Sequence, residues 1–160
     1  MLLPNKKLFA LLLVFFSFIA ACGTIDVFEK NVSIPNQEWS NSFQPQIEFE
    51  VTDTTSLYNI YVVLRHTDAY RYKNIYLNIY TQVPGGPMLK ERADLQLATD
   101  DKGWLGSGMD DIIEHRIRIT QEPQKLPRSG IYKYKLEQIM REEPLQHVMN
   151  VGIRVEKVKE

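Results

Sequence analysis

The sequence predicts an all-β protein, an antiparallel β-sandwich of about seven or eight strands, and three observations predict it. Beyond Cys22, apolar and polar residues alternate with period two through most of the chain, as strands with one wet face require. Two segments, "LYNIYVVLRHT" and "NIYLNIYT", are rich on both sides, as central strands are. Turn-forming clusters, "IPNQ", "TDTTS", "VPGGP", "DDKG" and "LPRSG", fall between the runs. A chain of 160 residues, 44% hydrophobic and 24% charged, suits one globular domain.

The first 21 residues stand apart from that domain. Lys6 and Lys7 precede an apolar run, Leu8 to Ile19, with no acid before it, which reads as a secretory signal peptide over 1–21. Twelve helical residues reach only about 18 Å, short of the roughly 30 Å of bilayer hydrocarbon. The run ends in Ile19-Ala20-Ala21-Cys22, which resembles a bacterial lipobox. Cys22 is the only cysteine, and a lone thiol in an oxidising compartment has no intramolecular partner. Acylation gives it a use, since each buried methylene adds about 0.8 kcal/mol and two or three chains hold a protein at a membrane. Cys22 is thus the expected lipidation site and the membrane an expected partner. Residues 22–31 then form the lipidated N-terminus and a tether or first strand, and residues 32–160 the sandwich. The formal net charge of −1 becomes more acidic when Lys6 and Lys7 are removed. With no basic run, nucleic acid is excluded as a partner and headgroup attraction is weak.

Each element follows from its pattern. "QIEFEV" points Ile47, Phe49 and Val51 to one side. "DIIEHRIRITQ" aligns Ile113, His115, Ile117 and Ile119, and "MNVGIRVEK" aligns Met149, Val151, Ile153 and Val155. In "LEQIMREEPLQHV", Leu136, Ile139 and Met140 fall at i, i+3 and i+4 before Pro144, which predicts one short helical crossover near the C-terminus.

The stretch "DDKGWLGSGMDD", Asp100 to Asp111, is the one that invites chemistry. Its glycine spacing fits neither a dinucleotide fingerprint nor a P-loop, and a strand follows instead of a helix. Four aspartates could ligate calcium, but the ordered spacing of an EF-hand is missing. A hairpin with a glycine bulge, Trp104 folded back on the sheet, is the favoured reading. A loop tryptophan can also anchor a partner. His66, His115 and His147 lie on separate elements without ligand spacing, and His115, facing inward, needs a hydrogen-bond partner. Ser107 lacks the strand–helix elbow of a hydrolase, and no pair of carboxylates has separable acid and base roles. The expectation is a non-enzyme without cofactor, metal or small-molecule substrate. The eight tyrosines with Trp39 and Trp104 hint at a binding surface for sugars or peptide, against the plainer reading that they pack on the sheets.

The succession "YKNIYLNIYT", "DDKGWLGSGMDDI" and "GIYKYKLEQIMREEPLQHVMNVGIRVEK" closely resembles the gliding-motility lipoprotein family GldH of Bacteroidota. The resemblance runs from about Ile25 to Lys157 and includes the lipobox. It implies a β-rich envelope lipoprotein, needed for gliding in species that glide and linked there to the type 9 secretion apparatus, with no known reaction. The family's loop glycines map to Gly103, Gly106 and Gly108, its tryptophan to Trp104, and its acidic helix-turn to Glu137, Gln138, Met140 and Arg141. With Tyr76 and Tyr80, the loop residues Gly103, Trp104, Gly106 and Gly108 are the candidate partner-binding positions. Gly23 stands where an inner-membrane retention aspartate would, and "CGTIDVFEK" lacks the acidic run of surface export. The expected location is the outer membrane, facing the periplasm. The function expected is a non-catalytic lipoprotein that contacts other envelope proteins of the motility or secretion machinery. The alternative is a lipid-tethered carbohydrate-binding or glycan-processing module.

Overall fold

The computed structural model of the chain describes residues 26–159; the expected signal peptide over 1–21 and the expected lipidation site, Cys22, lie outside them. In chain order the strands are β1 (Val27–Ser33), β2 (Glu38–Trp39), β3 (Gln46–Val51), β4 (Leu57–Thr67), β5 (Asn74–Gln82), β6 (Met88–Gln96) and β7 (Ala98–Thr99). There follow β8 (Gly103–Trp104), β9 (Ser107–Met109), β10 (Ile112–Arg118), β11 (Gln124–Lys125), β12 (Gly130–Gln138), β13 (Leu145–Gln146) and β14 (Val148–Lys157). Alternation dictates these strands: β3 reads exposed-buried throughout, with Ile47, Phe49 and Val51 inside.

Two antiparallel sheets face each other. One runs β1-β14-β4-β10-β9, with β11 also on β4; the other runs β3-β12-β5-β6. Two short ribbons, β2 with β13 and β7 with β8, close one end. The doubly apolar segments β4 and β5 are interior strands of their sheets, as their composition predicts. Between the layers lie Ile60, Val62 and Leu64 of β4, Val151, Ile153 and Val155 of β14, and the inner rows of β3, β5 and β12. Aromatic rings fill the wider gaps: Phe49 sits 5.2 Å from Phe28 of β1 and stacks on Tyr132 and Tyr134 at 5.7 and 5.9 Å.

The expected helical crossover is not there. β12 continues as a strand through Leu136 and Gln138, and the only helical turn among the described residues is a 3-10 turn at Pro35–Gln37. Gln138 explains the misreading. It occupies an inward position yet is polar, so it breaks the period-two signal, while its amide is satisfied inside by the Trp39 carbonyl (3.1 Å) and Glu143 (2.8 Å). Leu136 then faces the core, and Met140 packs against its margin after the strand has ended. A smaller correction concerns β14. A register shift between Val148 and Asn150 lets Val148, not Met149, take the buried place beside His66.

The outer face of the larger sheet is tied across four strands by alternating charges. Arg65 pairs with Glu114, Arg116 with Glu114 (2.9 Å) and Glu29 (3.7 Å), and Arg154 with Glu29 (2.7 Å) and Glu156 (2.5 Å). Gly152 lies in the middle of this face, opposite Asn31 and Val63. A Cβ there would collide with the Lys30 carbonyl and come within 2.8 Å of the Asn31 Cα. Gly152→Ala must therefore push β1 away from β14. We expect it to lower unfolding free energy by about 2–3 kcal/mol, read as a lower urea midpoint at unchanged slope.

Candidate functional site

The glycine stretch folds as two consecutive hairpins. Ala98 and Thr99 pair with Trp104 and Gly103 around the turn Asp100–Lys102, and Gly103 takes the left-handed conformation (φ +67°) that the turn requires. Ser107–Met109 then pairs with β10 around Asp110, itself at φ +56°. Lys73 reaches the turn to pair with Asp100, and this ion pair and hydrogen bond hold the Asp100 carboxyl below its usual range. The aspartates are thus turn and surface residues. Among the described residues no group of three or more His, Cys, Asp or Glu is placed to hold a metal ion.

Underneath the loop the structure brings two of the three histidines together. His66 of β4 and His115 of β10 are both buried, with their Nε2 atoms 2.9 Å apart. His66 Nδ1 lies 2.7 Å from the Thr67 carbonyl, which can only accept. The neutral tautomer of His66 that donates there leaves its Nε2 to accept from the Nε2–H of His115. The inward His115 has found its partner. Trp104 packs edge-on against His66 with centroids 4.5 Å apart, and Tyr70 lies 4.9 Å from the same ring. Gly106 lets the loop pass flat over this pair. A Cβ on it would collide with the Glu114 carbonyl and stand 2.9 Å from His115 Nδ1. Gly108 has no such constraint. Of the loop positions read as partner-binding, Trp104 and Gly106 therefore serve the interior. The exposed apolar groups beside them are Leu105 and Met109, the latter 80% exposed. Their signal in the sequence was alternation: a residue next to an inward tryptophan faces out.

Tyr76 and Tyr80 stand on the outer face of the smaller sheet, half-exposed. Arg92 lies 5.1 Å from the ring centre of Tyr76, and Lys90 and Lys135 lie 5.4 and 4.2 Å from that of Tyr80. The Tyr80 hydroxyl and the Asn78 amide both donate to Glu137, at 2.7 and 2.8 Å, and hold its carboxyl below the usual range. This face is a fixed lattice of charge and ring. His147 takes a left-handed conformation (φ +70°) just before β14, and its carbonyl accepts from the Thr67 N–H at 3.1 Å.

An open groove of about 1010 Å³ separates the edge strand β6 from the loop between β10 and β11, with Ile79, Leu89, Leu95, Ile119 and Tyr134 in its lining. Burial pushes the Tyr134 hydroxyl up to about 12, so it provides no base near neutral pH.

The fold and these surfaces define an antiparallel β-sandwich that offers a loop-capped pole and a charged, aromatic sheet face. The chain belongs to the GldH lipoprotein family, whose model matches residues 26–155. It is 26% identical to "Gliding motility lipoprotein GldH homolog" of Christiangramia forsetii, covering 95% of this chain and 98% of that one. It is 27% identical to "Gliding motility lipoprotein GldH" of Flavobacterium johnsoniae, covering 85% and 87%.

Burial holds both imidazoles neutral: His66 is lowered from its ordinary value and His115 is lowered to about 4. The unfolded chain therefore binds protons first on acidification. Stability is full above about pH 6.5 and falls as pH drops toward 4, with a slope approaching about 1.4 kcal/mol per pH unit from His115 and a further contribution of the same sign from His66. His115→Gln keeps a donor toward His66 and is expected to flatten that decline, measured as urea midpoints between pH 7 and 4.5.

Proposed function

We propose that this protein is a non-catalytic lipoprotein of the cell envelope, held at the membrane by acylated Cys22 and working through contacts with other proteins of the gliding-motility and type 9 secretion machinery. The observation that carries the reading is the family match across nearly the whole described domain, to relatives named for gliding motility. The geometry supports it. The conspicuous titratable groups are spent on each other: the histidines in a buried pair, Glu137 on Asn78 and Tyr80, Asp100 on Lys73. What is left outward-facing on the loop pole is contact surface, Leu105 and Met109.

The carbohydrate reading loses ground on one geometric point. Sugars stack on open aromatic faces, whereas cations of this chain already lie against the rings of Tyr76 and Tyr80. The location proposed is the outer membrane, facing the periplasm.

Two measurements test the proposal. Cys22→Ser should release the protein from the membrane fraction and remove the acyl mass increment at residue 22. Photo-crosslinkers at residues 105 and 109 in living cells should capture envelope proteins, and Met109→Asp should cut capture at residue 105 by about tenfold, as losing a contact worth about 1.4 kcal/mol does. Retention of Cys22→Ser in the membrane, or glycan binding abolished by Tyr80→Ala, overturns it.

A further inference from the structure

The two poles of the sandwich expose different chemistry, and the length of the N-terminal tether decides which one lies near lipid. Only Gly23, Thr24 and Ile25 separate Cys22 from Asp26, just before β1. Four fully extended peptide steps reach about 14 Å. β14 is 10 residues long and runs about 33 Å from one pole to the other.

The strand registers identify the pole at the tether. β1 begins there, and Val27 lies opposite Glu156 near the end of β14. Lys157 N–H donates to the Asp26 carbonyl at 2.9 Å and Val158 N–H to the Leu57 carbonyl at 2.8 Å, which brings in the start of β4. The second sheet meets the same pole, because Val51 pairs with Gly130 and the hairpin of β5 and β6 turns at Val83–Pro87, where Arg128 donates to the Pro84 carbonyl at 3.0 Å.

Of seven large apolar side chains exposed among the described residues, five are at this end: Val27, Leu57, Met88, Leu89 and Ile131, from 41% to 63% exposed. They leave the sandwich with an apolar rim on one pole. Charge points the same way. The far pole carries Asp68, Asp100, Asp101, Asp110 and Asp111 in excess over Lys73 and Lys102 around its loops, whereas near the tether Lys125, Arg128 and Lys157 balance Asp26, Glu50 and Asp53, Lys157 being paired with Asp53. An anionic leaflet repels the first set and tolerates the second. Lying flat is disfavoured, since either sheet face would press charged side chains on lipid.

We propose that the tether pole is a membrane-contact surface: Val27, Leu57, Leu89 and Ile131 rest in the headgroup region of the bilayer that holds Cys22, and they keep the sandwich upright with its glycine-loop pole pointing away. This rests on the anchoring by acylated Cys22 proposed above. The occupant is the phospholipid surface itself; a partner protein or a second copy on this rim are the competing outcomes.

The test uses the full acylated lipoprotein in vesicles of phosphatidylethanolamine and phosphatidylglycerol at about 7:3, the acidic lipid being there to supply the repulsion invoked above. With Cys22 blocked by its acyl chains, single cysteines at Leu57→Cys, Leu89→Cys, Leu105→Cys and Met109→Cys take an environment-sensitive fluorophore, and spin-labelled lipid serves as quencher. The four positions are exposed, so the fold tolerates the label. Quenching at residues 57 and 89 should exceed that at 105 and 109 by at least about threefold, since the far pole stands about 33 Å away along the strands. Equal or reversed quenching overturns the orientation. Labels at 57 and 89 that lipid leaves unquenched, but whose emission shifts when a second copy or a partner protein is added, overturn it as well. Flotation with vesicles and intact mass are read in parallel. Protein that neither floats nor carries acyl chains sinks the anchoring reading, whereas acylated, floating protein with unquenched labels at 57 and 89 sinks only this one.

Discussion

One row of side chains on β4 organises the molecule: Tyr58, Ile60, Val62, Leu64 and His66, all buried between the sheets. The row can be buried because β4 is paired on both edges, to β14 along one side and to β10 and β11 along the other, so its backbone polar groups are satisfied in the ladder. Each alkyl member contributes roughly 1.5–3 kcal/mol by leaving water. The row ends in a polar group at each pole, and each end builds a local structure. The Tyr58 hydroxyl donates to the Asp53 carbonyl at 3.0 Å. The Asp53 carboxylate in turn accepts from Thr55, Ser56 and Lys157 and is held far below the usual carboxylate range. That knot carries the chain from one sheet to the other. At the opposite end His66 cannot be buried without a partner, and His115 with Trp104 above it completes the site.

How much of this was legible in the sequence depended on whether inward positions were apolar. β3 and β10 announced themselves because their buried rows alternate cleanly, and the doubly apolar composition of β4 and β5 marked them as interior strands. β12 failed at Gln138, whose buried amide looks like a surface residue until its partners, the Trp39 carbonyl and Glu143, are brought from about a hundred positions away and from the adjoining turn. The histidine pair was hidden for the same reason. His115 was recognisable as an inward imidazole in need of a partner, but only the antiparallel register, which sets it beside Leu64 and Ile113 beside His66, reveals which histidine supplies it. The acidic glycine stretch was readable as a hairpin. That it makes two hairpins depends on Asp110 adopting a left-handed turn, which its sequence allows and does not demand.

Several features keep the exposed surfaces from pairing at random. β6 ends its sheet, yet Glu91 points from its inner row into the open groove, a charge that a second strand would have to desolvate. The outer face of the larger sheet neutralises itself through alternating Arg and Glu, with Val63 sealed beneath. On the smaller sheet the cations lie against the tyrosine rings of the same face. A partner that binds either face must displace internal contacts of the protein, and that makes the poles the less costly places to dock.

The Gly-Trp-Leu-Gly segment shows how one short sequence serves the interior and the surface together. Adjacent residues of an extended segment point to opposite sides. With Trp104 turned down onto His66, Leu105 must face solvent, and its backbone N–H is fixed to the Leu97 carbonyl at 2.8 Å. Gly106 then lies against the Glu114 carbonyl and the ring of His115, where any side chain would lift the loop off the pair. Removing the tryptophan ring would therefore unseat Leu105 as well, and a loss of binding in such a variant would report on the floor of the site and not on its contact surface. Contact is separable from support only at residues whose side chains leave the interior, and on this pole Leu105 and Met109 meet that condition.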